Sequence, residues 1–349
     1  FNKLDLGKHS RNIIIFHVSS KGDNSCRYSC FPDKAKNILG KNFNFKIIKI
    51  NNVFKRLILL FYLYYLKILG LQKNLSIWEP SPFWLKRLFY FKKINLNLFK
   101  NFFQDIKFYG DGFLCLSEKS IPFWLENVRL KKENYSKAGI FYYFYNLNDT
   151  KNLNNKYIEI NSSYIKTIFN KLTSNLKIIL DHNYQDLTIF PLTTFSETNR
   201  SSLDSEINLY IEYINSKIIN KKTPILIKPH PGNLKIKIKL LISKLEAQKF
   251  NVINKNLKDI SITDLPFNVI PLEILCLILV KKLNISFKGI TIALNSNATL
   301  STCYLFPDIN HINPFGERLI SKYIRKEFIQ QRLLQEEILV KKIYQKNNS

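Results

Sequence analysis

Short apolar runs alternate with longer amphipathic stretches along most of the chain. In the first half, runs rich in β-branched and aromatic residues predict strands at 12–18, 45–50, 76–78 and 106–109, and an apolar stretch predicts a helix at 54–69. Strands that alternate with helices are typical of a parallel sheet covered on both faces. The first half is therefore predicted to be α/β.

The second half repeats this alternation. Its apolar periods predict strands at 187–195, 224–228, 250–253 and 289–294, and helices at 207–218, 270–280 and 317–345. Ser201 and Asp204 are predicted to form a capping box before the first of these helices. The polar segment 146–155 has no hydrophobic period, so we interpret it as part of an interdomain connection or as a long surface loop.

The 349 residues are enough for two domains, each with its own core. We place an N-terminal Rossmann-like domain at 1–165, a second at 166–325 and a C-terminal basic helix at 326–349. Ligands of open parallel sheets bind beyond the carboxyl ends of the strands. Three polar motifs stand at such predicted strand ends, and they are the candidate functional residues.

Composition narrows the class of protein. Hydrophobic residues make up 46% of the chain, which excludes a disordered or fibrous protein. The net charge of +27 and the 14% aromatic content keep a basic nucleic-acid-binding protein as an alternative of another class. Abundant Asn, Lys, Ile and Phe indicate an AT-rich genome, so part of the charge reflects codon use. No recognisable nucleic-acid-binding signature is present, and nucleic acid is not the expected partner.

The cysteines indicate a reducing compartment. Their number is odd, and most lie within apolar runs, as buried free thiols do: Cys26, Cys30, Cys115, Cys276 and Cys303. Cys26 and Cys30 form a C-x3-C pair without a second pair or a nearby histidine, so we expect no metal. A cytoplasmic location is predicted. The chain contains no methionine, so as given it does not begin at its natural start.

Two segments combine apolar, aromatic and basic residues. Leu57 to Leu66 is a ten-residue apolar run between Lys55, Arg56 and Lys67, whereas about 20 residues are needed to cross a bilayer. Phe83 to Lys93 is a second such segment. Both are interpreted either as buried helices with basic ends or as a peripheral surface that rests on the anionic inner membrane.

A constrained histidine follows the predicted strand 224–228. In Lys228-Pro229-His230-Pro231 two prolines restrict the backbone around one imidazole, and Lys228 adds a positive charge. Histidine binds phosphate at neutral pH, and a leaving nucleotide phosphate needs cations as negative charge grows on it. The alternative interpretation is a turn with an incidental histidine.

Three further motifs offer polar groups. Asp111, between two glycines after the strand 106–109, is placed to act as a general base or as an ordinary turn residue. Glu273 opens an apolar helix, where it either accepts hydrogen bonds from ribose hydroxyls or favours the positive end of the helix dipole. Ser296, Asn297 and Thr299 follow the strand 289–294 and suit either an anion site or an N-cap.

In this order, the motifs resemble those of the bacterial sialyltransferases, in particular the capsular polysialyltransferases and the lipooligosaccharide sialyltransferases. That family has an acidic-acidic-Gly motif, a His-Pro motif, a glutamate on a following helix and a Ser-Ser or Ser-Thr motif. The matching positions are Asp111-Gly112, His230-Pro231, Glu273 and Ser296. The stretch 190–213 also resembles the polysialyltransferase-like group, and the spaced motifs cover about 12–299.

The resemblance implies an inverting, metal-independent glycosyltransferase of the GT-B fold, with two Rossmann-like domains whose parallel sheets face a central cleft. It implies CMP-sialic acid as the donor, a lipooligosaccharide or capsule-like glycan as the acceptor, and no cofactor. Asp111 would activate the acceptor hydroxyl and His230 would assist departure of the CMP phosphate. The donor would also contact Lys228, Pro231 and Glu273, and Ser296, Asn297 and Thr299 would complete its site.

The chain departs from the family pattern where Gly110 replaces an acidic residue and Asn297 replaces a hydroxyl residue. A homologue that keeps the fold without turnover is therefore one alternative. Another is a transferase for a different CMP-nonulosonate, for CMP-Kdo or for CDP-glycerol. These donors share the cytidine nucleotide that the motifs would bind.

Overall fold

A computed structural model describes the fold, and the described residues are 12–17, 45–50, 53–70, 76–79, 105–109, 140–143, 156–159, 163, 167, 184–218, 220–255, 267–283 and 285–347. The chain divides into two compact units. Unit 1 consists of Phe1–Ser25 with Phe43–Ser162, and unit 2 consists of Cys26–Asn42 with Ser163–Ser349.

Unit 1 contains parallel sheets. The elements are β1 (Asn12–His17), β2 (Phe45–Ile50), α1 (Val53–Ile68), β3 (Ser76–Glu79), β4 (Asp105–Tyr109), β5 (Ile140–Tyr143) and β6 (Lys156–Glu159). β1 pairs with β2, and β3 to β6 form a sheet in chain order, with every pairing parallel. The four strands and the helix predicted in this half are confirmed, because their β-branched and apolar runs are continuous.

The segment 146–155 joins β5 to β6, which are neighbours in one sheet. Both strands belong to unit 1. The segment itself lies outside the described residues, so its interpretation as part of an interdomain connection or as a long surface loop stays a prediction.

Unit 2 is built on a second parallel sheet. Its elements are β7 (Leu187–Pro191), α2 (Leu203–Lys217), β8 (Ile225–Lys228), α3 (Lys235–Ala247), α4 (Leu272–Leu283), β9 (Ile290–Ala293), α5 (Asn297–Leu305), β10 (Asn310–Ile312), α6 (Glu317–Tyr323) and α7 (Lys326–Asn347). The strand order is β8-β7-β9-β10. β8 and β9 lie on opposite sides of β7, so the strand order reverses there, and such a switch point is where ligands bind in α/β sheets.

Two boundaries in unit 2 differ from the prediction. The strand predicted at 187–195 ends at Pro191 because the Thr193 amide donates to the Tyr210 hydroxyl, 3.0 Å away, instead of to a strand. The cap of α2 is Ser202, whose hydroxyl accepts from the Ser205 amide. Ser201, predicted for that role, is buried and donates to the Tyr323 carbonyl.

The predicted strand 250–253 is wrong. Only Val252 makes an isolated bridge, to Ile225, and a 3-10 turn follows at Ile253–Lys255. The Asn254 side chain takes the place of a strand: its oxygen accepts from the Ile227 amide at 2.8 Å and its nitrogen donates to the Ile227 carbonyl at 2.7 Å. A single carboxamide thus pairs both backbone groups of Ile227, while the Ile225 amide donates to the Asn251 carbonyl at 2.8 Å.

The C-terminal helical region is two helices, α6 and α7, where one was predicted. Ile324 is extended at φ −101° and ψ 143°, and the Arg325 amide donates to the Arg200 carbonyl at 3.0 Å. A contact with a distant loop therefore replaces the helical hydrogen bonds at this point.

Aromatic side chains of α2 fill the core of unit 2. Tyr210 and Tyr213 are fully buried, and the Tyr210 ring packs edge-on against Phe190 of β7 at 5.4 Å between ring centres. Tyr213 packs edge-on against Phe315 at 5.0 Å. These contacts hold α2 and the loop before α6 against the sheet. Within the described ranges, no helix has both the length and the apolar character needed to cross a membrane.

Candidate active site

The carboxyl ends of β7, β8 and β9 meet at one edge of the sheet of unit 2. Pro191 is in register with Lys228, and Ile189 with Ile292, so the three strands end nearly level. The loops that follow carry Thr193 to Glu197, Pro229 to Asn233, and Asn295 to Ser296. Two of the motifs predicted from the sequence therefore lie at the same edge.

Lys228 is the last residue of β8 and is 6% exposed. Its ammonium donates to the carbonyls of Pro229, at 2.9 Å, and Asn268, at 3.1 Å. Desolvation lowers the pKa of Lys228 to about 8, while the nearby Glu273 carboxylate opposes this change. Among the described residues, no carboxylate forms an ion pair with this ammonium, so the strand end holds a cation that suits the binding of an anion.

Glu273 lies in the first turn of α4 and accepts a hydrogen bond from the Ser301 hydroxyl. Burial raises the pKa of Glu273, and the Ser301 bond and the Lys228 charge act in the opposite direction. Lys228 and Glu273 are therefore electrostatically coupled, as neighbours in one site. Ser301 was missed from the sequence, although its position one turn into α5 after Asn297 puts a second hydroxyl close to the start of that helix.

His230 lies in a tight turn closed by its own carbonyl, which accepts from the Asn233 amide at 2.9 Å. The Gly232 amide donates to Nδ1 of the imidazole at 3.0 Å. In the neutral ring the proton is therefore on Nε2. His230 is exposed and Pro231 partly so.

The charge on the His230 ring responds to several neighbours. Its pKa is lowered to about 4, mainly by desolvation and also by the positive charges of Lys228 and Lys237, whereas Glu197 opposes the change. Solvent at the exposed side of the ring moderates the desolvation. The neutral, Nε2-protonated ring is the form that meets a ligand at neutral pH.

The N-terminus of α5 lies directly beyond β9. Ser296 is its N-cap residue, and its side chain makes no capping hydrogen bond. Thr299 is fully buried and its hydroxyl donates to the Ser296 carbonyl, so this proton is used within the helix. The side chain of Asn297 lies outside the described residues.

Asn295, which precedes the cap, was also missed. Its carboxamide is fully buried, and neither its nitrogen nor its oxygen has a hydrogen-bond partner. Its backbone carbonyl accepts from Arg332 at 3.1 Å. Buried amides are almost always paired, because an unpaired one costs about 1–3 kcal/mol. An unpaired buried amide at the end of a parallel strand therefore makes Asn295 a candidate for binding a ligand.

Behind the His230 turn lies a buried charge cluster that the sequence did not reveal. We call Glu197, Glu206 and Lys237 the buried triad. The Lys237 ammonium lies 2.9 Å from Glu197 and 2.6 Å from Glu206, and the exposed fraction of each of the three side chains is below 10%. Glu206 also accepts from the amides of Phe195 and Ser196, at 3.2 and 2.8 Å. The triad ties the loop after β7 to α2 and α3.

Several residues singled out in the sequence lie outside the described residues. Asp111 and its flanking glycines lie there, as do Cys26, Cys30 and Cys115. Cys276 and Cys303 are buried thiols. In the part of the chain that the structure describes, no group of three or more His, Cys, Asp or Glu side chains is arranged to hold a metal ion.

Comparison with known proteins adds little. No family model matches the chain, and no curated protein matches it. One similar solved structure is the N-terminal part of the protein BF1531 from Bacteroides fragilis, which contains a phosphatase domain and is complexed with Mg. It is 11% identical, and the match covers 86% of this chain and 89% of that chain, with a TM-score of 0.23. A likeness of this size carries no argument about fold or activity.

Proposed function

We propose that this chain is an inverting, metal-independent glycosyltransferase that moves sialic acid from CMP-sialic acid to a hydroxyl of a lipooligosaccharide or capsule-like glycan. The observation that carries the proposal is the strand end of β8, where the buried Lys228 ammonium stands beside the turn of His230. A cation and a neutral hydrogen-bond donor at a sheet switch point suit a leaving phosphate.

In the proposed reaction, the bond between the sugar and the phosphate oxygen of CMP breaks as the acceptor oxygen attacks the opposite face of the sugar. The released phosphate oxygen takes up the bonding electrons. Nε2–H of His230 donates to this oxygen and Lys228 balances its charge. The acceptor hydroxyl loses its proton to the Asp111 carboxylate, a role that comes from the family resemblance.

The N-terminal turns of α4 and α5 supply the other proposed nucleotide contacts. The Ser296 hydroxyl and the first amides of α5 suit a phosphate oxygen. Glu273, held by Ser301, suits the ribose hydroxyls. These contacts recognise the nucleotide and not the sugar, so other CMP-nonulosonates, CMP-Kdo and CDP-glycerol are donors to compare. We further propose that units 1 and 2 are the two Rossmann-like halves of a GT-B enzyme.

The first test is nucleotide binding. We expect calorimetry without added metal to show that CMP binds more tightly than UMP, and that His230→Ala weakens CMP binding at least about tenfold, because a hydrogen bond to a charged phosphate is lost. His311→Ala removes a histidine from the edge strand β10 and should leave the affinity unchanged. If neither nucleotide binds the wild-type protein, the proposed function fails, and salt-dependent binding of an oligonucleotide becomes the next measurement.

The exposed face of α1 supports a proposal about location. Eight large apolar or aromatic side chains of this helix are between 43% and 73% exposed: Phe54, Leu57, Ile58, Phe61, Tyr62, Tyr64, Tyr65 and Ile68. At 100° per residue they fall within an arc of about 160°, and the buried Leu63 is opposite. No Lys, Arg, Asp or Glu position of α1 falls within that arc.

We propose that this α1 face rests on the anionic surface of the inner membrane. Its three tyrosines suit the polar headgroup layer, and Lys55, Arg56 and Lys67 lie at the two ends of the helix in a chain of net charge +27. The helix has 16 residues, about 24 Å, so it is shorter than the roughly 30 Å of a bilayer core. It would lie in the interface and not cross it.

Vesicle binding tests this location. We expect the full chain to sediment with phosphatidylcholine vesicles that contain phosphatidylglycerol, and Phe61→Glu to lower the partition coefficient at least about tenfold, since burying one such ring contributes about 1.5–3 kcal/mol. Ile236→Glu is the matched control, because Ile236 is 52% exposed on α3 of unit 2. Equal binding of wild type and Phe61→Glu would exclude the α1 face as the contact.

A further inference from the structure

We infer that Glu197 is a positioning residue for His230: through Asn233 and the Leu234 amide it holds the turn in which the Gly232 amide occupies Nδ1, so that Nε2–H is presented to the ligand. The inference concerns the orientation and tautomer of the ring. It rests on the proposed function only for the identity of the ligand.

The Glu197 carboxylate contacts the turn directly. Its Oε1 accepts from the Leu234 amide at 3.0 Å and from the Asn233 side-chain nitrogen at 3.1 Å. The Asn233 oxygen in turn accepts from the His230 amide at 2.7 Å. The second proton of the Asn233 nitrogen goes to the Thr193 carbonyl at 2.6 Å. A chain of short hydrogen bonds thus runs from the loop after β7 to the backbone of His230.

Glu197 is itself held by the buried triad. Its Oε2 accepts from the Lys237 ammonium at 2.9 Å, and this ammonium also donates to the Thr193 carbonyl at 3.0 Å and lies 2.6 Å from Glu206. Burial alone would raise the pKa of Glu197, but Lys237 and the hydrogen bonds reverse this and keep it below its ordinary value. The carboxylate is therefore charged and fixed at neutral pH.

A side chain at position 232 would crowd the ring. A Cβ on Gly232 would lie 3.2 Å from Nδ1 of His230 and 3.6 Å from Cγ2 of Thr194. The Gly232 amide can approach Nδ1 because no side chain intervenes. The charged groups that face the ring from the packed elements are Lys228 on β8, Lys237 on α3 and Glu197 on the loop after β7. The two cations disfavour a second proton on the ring.

The test is the tautomer of His230 in the full-length protein without ligand. With 15N-labelled histidine the chain has five imidazole rings, each with two nitrogen signals, and His230→Gln assigns the pair of interest. We expect the wild-type His230 ring to be neutral and protonated at Nε2 at pH 7. Glu197→Gln replaces the carboxylate that pairs with Lys237 by a neutral amide. We expect this variant to show a mixture of His230 tautomers and to bind CMP at least about fivefold more weakly.

Two further variants make the test selective. Asn233→Asp breaks the link to Glu197 by charge repulsion without removing any partner of Lys237, and it should produce the same mixture. Glu212→Gln is the matched control, because its carboxylate pairs with Lys322 and Arg318 of α6 and not with the turn. A wild-type ring signal in folded Glu197→Gln or folded Asn233→Asp protein would overturn the inference.

The outcomes separate this inference from the proposed function. A tautomer change in Glu197→Gln, in a protein that binds no nucleotide, would uphold the positioning role and reject the glycosyltransferase. Tight CMP binding with an unchanged ring signal in both variants would support the proposed nucleotide site and reject the positioning role of Glu197.

Discussion

Replacing Lys237 with methionine is expected to destabilise the fold by about 3–5 kcal/mol, because the substitution leaves two carboxylates buried without their cation. The Lys237 side chain and Glu206 are fully buried, and Glu197 is 8% exposed. The amides of Phe195 and Ser196 satisfy some carboxylate oxygens of Glu206 but do not neutralise its charge. The free energy of urea unfolding, followed by circular dichroism at 222 nm, measures the effect.

Lys322→Met is the matched control for this prediction. Lys322 also pairs with a glutamate, at 2.7 Å from Glu212, but its side chain is 55% exposed. Solvent screens exposed pairs, so the control should lose much less stability than Lys237→Met. A Lys237→Met protein as stable as the control would show that the triad does not hold the unit together.

The destabilisation should depend on pH in a defined direction. The pKa of Glu197 is lowered in the folded protein, so its pairing stabilises the fold above the ordinary value of 4.5 and this contribution is lost as pH falls through the folded value. The difference between wild type and Lys237→Met is therefore expected to shrink below about pH 4.5.

The second large effect is expected at Lys228. Lys228→Met should weaken CMP binding by about 2 kcal/mol or more, roughly thirtyfold, because a buried phosphate loses its cation. Wild-type affinity should fall as pH rises through about 8, where Lys228 loses its proton, and not near 10.5, the ordinary pKa of lysine. Calorimetry from pH 6.5 to 9.5 measures both effects.

Stability distinguishes this role from a structural one. The folded pKa of Lys228 lies below that of the unfolded chain, so its protonation opposes folding below about pH 8, and stability should rise between about 8 and 10.5. Lys228→Met removes the unfavourable burial of a charge, but it also removes two hydrogen bonds to carbonyls. We expect these two effects on the free energy of unfolding to cancel within about 1 kcal/mol. Lys281→Met, on an exposed residue of α4, is the affinity control. Unchanged CMP affinity in Lys228→Met would remove this lysine from the site.

Long apolar runs made most strands predictable, whereas the local pattern of α3 is misleading. α3 begins Lys235-Ile236-Lys237-Ile238, an alternation with a strand-like period of two, and its N-cap residue Leu234 makes no side-chain capping bond. Glu197 accepts a hydrogen bond from the Leu234 amide, so this amide at the uncapped helix end is not left unpaired. The helix therefore depends on a residue 37 positions earlier.

Like the fold, the candidate site was predictable only in part. Lys228 and His230 stand next to a strong strand signal, and their chemistry is visible in four consecutive residues. Glu197, Glu206, Asn233 and Ser301 have no such signal, because a polar residue near a loop is ordinary in any sequence. Their partners lie far along the chain, for example 40 residues between Lys237 and Glu197 and 28 between Ser301 and Glu273.

The sequence by itself determined most of the strands, that the chain is α/β, and that a lysine ends one strand directly before a proline-restricted histidine. These are local properties, since apolar period and backbone restriction act over a few residues. The tertiary structure decided the order β8-β7-β9-β10, and with it which strand ends meet. Pairing a buried ammonium with two carboxylates depends on that order, because such a pair stabilises the fold only where distant segments are brought together away from water.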